Sequence, residues 1–155
     1  MREKVIAAAR ELGLDVEIKA LDQPTRTVAE AAKALGVDEG AIAKSLVFLA
    51  DGEPLVVIAS GAHRVDPDVL ALACDCAVID QATPDDVRAA TGFPVGGVPP
   101  FGHGLPLLMD ETLLKQQVVY AAGGDGNTLF AVDPRKLVEA TGARLIRVAD
   151  PALKL

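Results

Sequence analysis

Lys44 is the residue whose surroundings most suggest chemistry. In the alternating stretch 41–50, Ile42, Lys44, Leu46 and Phe48 fall on one face of a strand, and Ala41, Ala43, Ser45, Val47 and Leu49 fall on the other. An ammonium among bulky apolar neighbours is costly unless it snorkels to water or meets an anion. A lysine held in a partly dry cleft binds a phosphate, or polarises a carbonyl, far better than one in open water. The plainer alternative is that Lys44 reaches out past the sheet edge. A second candidate is the loop Gly92-Phe93-Pro94-Val95-Gly96-Gly97-Val98-Pro99-Pro100-Phe101-Gly102-His103. Its glycines and prolines forbid a continuous helix or central strand, yet Phe93, Val95, Val98 and Phe101 make it too apolar for a solvated connector. The loop is expected to lie against a core or a ligand, stiffened by its prolines before binding; a structural hairpin or Ω-loop is the alternative.

His63 follows Ser60-Gly61-Ala62 at the end of an expected strand, and His103 closes the glycine-proline loop. Neither has a visible partner that would make it a general base, and a surface or capping role is open for both. The run Gly123-Gly124-Asp125-Gly126-Asn127 superficially suggests a phosphate cradle, but it lacks the Lys-Ser/Thr ending of a P-loop and sits between two strands, so it reads as a turn. There is no Gly-x-Ser-x-Gly elbow. Cys74 and Cys76 are read as buried free thiols on one strand, because such adjacent positions seldom satisfy disulfide geometry. A metal would need more ligands than these and the two histidines supply, so no metal site and no cofactor are expected.

The elements that must position these residues follow from periodicity and caps. A helix is expected over 3–12, ended by Gly13, then a half-exposed strand over 16–21. Thr27-Val28-Ala29-Glu30 reads as a capping box opening a helix that closes at Gly36. Strands over 41–50 and 54–59 form a hairpin at Asp51-Gly52. Asp66-Pro67 starts a helix to about Ala73, before a strand over 76–79; Thr83-Pro84 starts another helix, which ends at the glycine-proline loop. Strands are expected over 105–109, 117–122 and 128–132, with a helical turn over 110–114. Asp133-Pro134 caps a last helix to Ala140, and a closing strand covers 144–148. The fold class is therefore α+β, a curved, barrel-like mixed sheet surrounded by helices, in a single domain over 1–155.

Half of the residues are hydrophobic and only 3% are aromatic, so the core must be built of Val, Leu, Ile and Ala. No apolar run approaches the roughly 20 residues needed to cross a bilayer, and Met1-Arg2-Glu3-Lys4 has no signal-peptide pattern, so a soluble cytoplasmic protein is expected. A net charge of -7 argues against coating of duplex nucleic acid, though a local basic pocket remains compatible with it. Residues 27–46 nevertheless imitate a helix-turn-helix, which would make this a DNA-binding protein. Asp38 and Glu39 at the start of the supposed recognition helix oppose that reading, as does the apolar, strand-like stretch 45–49.

Taken together, Ala43-Lys44-Ser45-Leu46-Val47-Phe48, Gly96-Gly97-Val98-Pro99-Pro100-Phe101-Gly102 and Asp133-Pro134-Arg135-Lys136-Leu137 resemble the YbaK/ProX family, free-standing relatives of the editing insertion domain of bacterial prolyl-tRNA synthetases. The resemblance covers essentially the whole chain. It implies a trans-editing hydrolase that deacylates mischarged tRNA, with tRNA(Pro) carrying alanine or another small amino acid as the leading substrate. By the same resemblance, Lys44 matches the essential lysine that engages the terminal adenosine. Gly96, Gly97, Val98, Pro99 and Pro100, with Phe101 after them, match the Gly-x-x-x-Pro loop around the aminoacyl group. His63 matches a pocket-lining position, and Gly123 and Gly124 a glycine pair near the cleft. The implied partner is the aminoacyl-tRNA acceptor end; the acidic overall charge, which gives little affinity of its own for tRNA, points to delivery by prolyl-tRNA synthetase or an elongation factor. A DNA-binding protein and a catalytically inactive tRNA-binding module of the same fold stand as the rivals.

Overall fold

The computed structural model describes residues 1–22 and 27–149. Its organising unit is the hairpin of β2 (Ile42–Ala50) and β3 (Glu53–Ser60), paired from Ala43↔Ser60 to Ala50↔Glu53. Asp51 and Gly52 both take positive φ, 49° and 86°, which gives the two-residue turn the twist that the strands need. The Asp51 carboxylate also accepts from the Ala77 and Val78 amides, at 3.1 and 2.8 Å. Those amides serve a loop, so the strand expected over 76–79 begins instead at Ile79, as β4 (Ile79–Gln81).

Around the hairpin the sheet runs β1-β7-β6-β2-β3-β5-β8, with β4 as a further partner of β2. The other strands are β1 (Lys19–Ala20), β5 (Leu107–Asp110), β6 (Val119–Ala122), β7 (Thr128–Val132) and β8 (Arg144–Ile146). The sheet is mixed: β6 runs parallel to β2, β5 parallel to β3 and β8 parallel to β5. Several expected strands are trimmed. β5 starts after Pro106, which has no amide to give and serves only as acceptor for Val56 N at 2.9 Å. β1 keeps two residues, since β7 offers it only Leu129 and Thr128.

Among the described residues five helices flank the sheet: α1 (Arg2–Glu11), α2 (Val28–Leu35), α3 (Pro67–Cys74), α4 (Pro84–Thr91) and α5 (Pro134–Thr141). Thr27 Oγ1 caps α2 by accepting from Glu30 N at 3.1 Å, while the reciprocal capping box forms at Thr83 and Asp86 on α4. Cys74 and Cys76 are free thiols, as expected, but they flank a left-handed C-cap at Asp75 and do not share a strand. After α2 the chain makes a short 3-10 turn, Glu39–Ala41, and enters β2, so a strand stands where a recognition helix would have to be.

Alternation along β2 divides the core. Ala43 and Val47 join Val56, Ile58, Met109, Val119 and Phe130 beneath α1, α4 and α5; Leu46, Phe48 and Ala50 join Val57, Leu108 and the α3 residue Leu70 on the other face. In the glycine-proline loop, Phe93 and Phe101 are 3% exposed, and the Phe101 ring lies 5.7 Å from Phe130. The loop is part of the core wall.

His103 belongs to that wall. Its Nδ1 accepts from Leu105 N at 3.1 Å, which puts the proton of the neutral ring on Nε2, and Nε2 is buried with no partner among the described residues. Burial pushes its pKa below the ordinary histidine value of 6.5. The unfolded chain therefore takes up the proton first as pH falls through 6.5, and stability drains away until the folded value is passed. Chemical denaturation from pH 8 to pH 5 is expected to show a midpoint that declines less steeply in His103→Gln than in the parent.

Candidate functional site

β2 is nine residues long and pairs with β3 along nearly all of that length, but two shorter strands share its other edge. β6 covers Ile42 and Ala43; β4 covers Phe48 to Ala50. Where neither reaches, a cleft of about 390 Å3 opens. Its floor is β2 from Ile42 to Phe48, one wall is Val28 and Ala31 of α2, and the opposite wall is Val87, Val95, Gly96 and Val98. Ala122, Gly126 and Thr128 of the β6–β7 turn region close the end.

Lys44 is the one ionisable side chain among the described lining residues. It is half-buried, and its pKa is lowered first by desolvation and then by the Arg64 guanidinium, with Asp110 pulling the other way. The sheet explains that third contribution. Lys44 stands opposite Ala59, and Ile58 stands opposite Met109, so Asp110 continues the row on the same face, across a side chain no larger than a methyl.

Asp110 is itself 1% exposed and fully engaged. Its Oδ2 accepts from Ser60 N at 3.1 Å and meets His63 Nδ1 at 3.0 Å; its Oδ1 accepts from Thr112 N and Thr112 Oγ1 at 3.0 and 2.7 Å. His63 is thereby held in a second cavity, of about 330 Å3, with Lys115 and Arg147. It does not line the cleft of Lys44.

Of the other residues singled out by sequence, Gly96 and Val98 line the cleft with Lys44. Gly97 stands behind them. A methyl there would come within 2.7 Å of Gly124 O and 2.9 Å of Gly124 C, so these two glycines let two loops touch backbone to backbone. A methyl on Gly123 would come within 2.7 Å of the Ile18 side chain and 3.1 Å of Thr128 Oγ1, so this glycine makes room for side chains. Pro99, Pro100 and Phe101 are buried and set the shape of the wall from inside. Sequence reasoning missed Asp110, for which the signal was a carboxylate closing the apolar run Leu107-Leu108-Met109 with a threonine two residues on. It also missed Ser45, whose Oγ is buried without a partner among the described residues.

No histidine, cysteine or carboxylate is among the described lining residues, so the cleft offers no paired nucleophile and base. It offers apolar walls, one cation and a stretch of strand edge. That equipment suits holding a polarised carbonyl beside a phosphate or ribose, with water as the attacking group.

Comparison with known proteins gives a consistent picture. A model of the aminoacyl-tRNA editing domain family matches residues 22–151. The chain is 29% identical over 126 residues to YwhH, an uncharacterised protein of Bacillus subtilis (strain 168), covering 79% of this chain and 80% of that one. It is 33% identical over 100 residues to the proline–tRNA ligase of Nitratidesulfovibrio vulgaris (strain Hildenborough), covering 64% of this chain but only 17% of the ligase. Among solved structures, one described as a proposed trans-editing enzyme for prolyl-tRNA synthetase superposes with a TM-score of 0.89 at 38% identity, covering 96% of each chain.

The depressed Lys44 pKa has a stability consequence of definite sign. The folded state disfavours the charged form, so the parent is expected to gain stability as pH rises from the folded value toward the ordinary lysine value of 10.5. Lys44→Met keeps the side-chain length and removes the desolvated charge. It should unfold at an equal or higher denaturant concentration than the parent at pH 7 and lose the alkaline rise.

Proposed function

The chain belongs to the aminoacyl-tRNA editing domain family and is an aminoacyl-tRNA deacylase, and we propose that its substrate is tRNA(Pro) mischarged with alanine or another small amino acid, edited in trans by the whole of 1–155 as one domain. The observation that carries this reading is the cleft itself: a single half-buried lysine beside an apolar, glycine-lined wall of small volume. An aminoacyl ester is already activated. The protein needs to hold the acceptor end, admit a water and stabilise the oxyanion of the tetrahedral intermediate, and no protein nucleophile is required.

In this reading Lys44 engages the terminal ribose and phosphate and keeps positive charge near the reacting ester. Gly96 and Val98 face the aminoacyl side chain, while Gly97, Pro99, Pro100, Phe101, Gly123 and Gly124 act on the substrate through the shape they give that wall. His63 acts at a distance, by fixing Asp110 on the face that carries Lys44. The relatives support the choice of tRNA(Pro), since the ligase and the trans-editing protein both bear the name of the prolyl system. With a net charge of -7 the chain has little general attraction for a polyanion, which favours delivery of the substrate by prolyl-tRNA synthetase or an elongation factor. Among the described residues no helix is long and apolar enough to cross a membrane, and the proposed substrate belongs to the cytoplasm.

The test is deacylation of tRNA(Pro) carrying alanine against the same tRNA carrying proline, with the parent and Lys44→Ala. The parent should release alanine and spare proline. Lys44→Ala should lose about 2–4 kcal/mol of transition-state stabilisation, the usual cost of removing an oxyanion donor, while remaining folded. A folded Lys44→Ala protein with full activity removes the role given to the lysine, and sequence-specific retention of duplex DNA would reinstate a DNA-binding function.

A further inference from the structure

The edge of β2 inside the cleft carries polar groups that the fold does not use. Gly61 N donates to Ile42 O at 2.7 Å, and Lys44 stands opposite Ala59, so the peptide groups of Ile42, Lys44, Leu46 and Phe48 point toward β3. Those of Ala43, Ser45, Val47 and Leu49 point to the other edge. There the β6 register ends at Ala43↔Ala121 and the β4 register begins at Phe48↔Gln81, with Ala82 N donating to Val47 O at 3.4 Å. The N–H and C=O of Ser45 and the N–H of Val47 are left without a ladder partner among the described residues. Ser45 Oγ is also buried and unpartnered. Both residues line the cleft. Orphan groups of this kind are uncommon in folded proteins, and here they are concentrated in one gap three residues long.

We infer, on the premise that the chain is an aminoacyl-tRNA deacylase, that the aminoacyl group docks in this gap as a one-residue strand, its α-amine donating to Ser45 C=O and its ester carbonyl accepting from Ser45 N–H. An aminoacyl ester carries a donor and an acceptor on either side of one carbon, the layout of a single residue in an antiparallel pair that exchanges both hydrogen bonds. Bound this way it completes the edge between β6 and β4. Directly opposed residues carry their side chains on the same face. The acyl side chain therefore lies on the Ser45 face, toward Gly96 and Val98, while the ribose runs toward Lys44 on the other face. When water adds to the carbonyl carbon, the negative charge forms on the oxygen already held by Ser45 N–H, so that bond strengthens; as the carbonyl re-forms, the acyl–ribose C–O bond breaks and the ribose oxygen leaves as a hydroxyl with the proton that the water gave up.

The experiment compares three esters of the same tRNA(Pro) with the parent protein: alanyl, lactyl, in which a hydroxyl replaces the amine and still donates, and propionyl, which has no donor. The expected order in kcat/KM is alanyl and lactyl within a few-fold of each other and propionyl lower by roughly tenfold, the effect of one buried hydrogen bond left unmade. Ser45→Val, a residue suited to a strand, should abolish alanyl hydrolysis by filling the side-chain position without lowering the melting temperature. Equal rates on alanyl and propionyl esters, or full activity of Ser45→Val, overturn the docking inference and leave the deacylase reading intact. Absence of hydrolysis of every ester overturns both.

Discussion

Backbone amides and carbonyls must find partners, and the way this sheet meets that demand sets everything else in the molecule. β2 is too long for either strand on its outer edge, and the two that share it approach from opposite ends, β6 parallel and β4 antiparallel. A single strand with mismatched neighbours cannot have a continuous ladder. The fault in the ladder is where the cleft of Lys44 opens. Because the floor of the cleft is the most thoroughly paired strand in the sheet on its β3 side, the gap is held open by a rigid element and does not depend on a mobile loop.

The electrostatics follow from the same geometry. A charge inside an apolar cleft is expensive, and Lys44 shows this in its depressed pKa. Asp110 moderates the cost without quenching the charge: it sits one strand beyond Ala59, and its oxygens are already occupied by Ser60, His63 and Thr112. A direct ion pair would have buried the ammonium against a carboxylate and left nothing for a ligand. At one remove, the carboxylate favours the protonated lysine while the ammonium stays available in the cleft. The charge in the cleft is local and partly desolvated, whereas the net charge of the chain acts only over distances that salt screens.

Much of this was legible in the residues. Asp51-Gly52 reads as a hairpin turn from its residue types alone, and the alternation around Lys44 puts a cation on an apolar face. Capped helix starts at Asp66, Thr83 and Asp133 were equally plain, because their signals are local. What could not be read were relations between distant segments. That β4 and β6 leave the middle of β2 uncovered is a fact of register, and so Ser45 looked like an ordinary strand serine. The resemblance assigned His63 to the pocket of Lys44, but Asp110, 47 residues away, holds its imidazole in a neighbouring cavity. The resemblance set Gly97 in the loop around the aminoacyl group, whereas the nearest atoms to a methyl there belong to Gly124.

That last difference changes how the wall of the cleft works. If Gly97 faced the ligand, the loop could be tuned by small changes in side-chain size, and selectivity would be a matter of local bulk. Seated on the backbone of Gly124 instead, and flanked along the chain by Phe93 and Phe101 in the core, Gly97 has no room to recede. Pro99 and Pro100, which follow it, are buried and limit the conformations open to the loop. A pocket that only attracts can distinguish ligands differing by a methylene by about 1–3 kcal/mol, whereas a wall that cannot move adds a steric cost for anything larger than the space. The close contact of Gly97 with the Gly124 backbone is thus what would allow a cleft with no catalytic dyad to be selective: rigidity there turns the shape of the loop into a repulsive term.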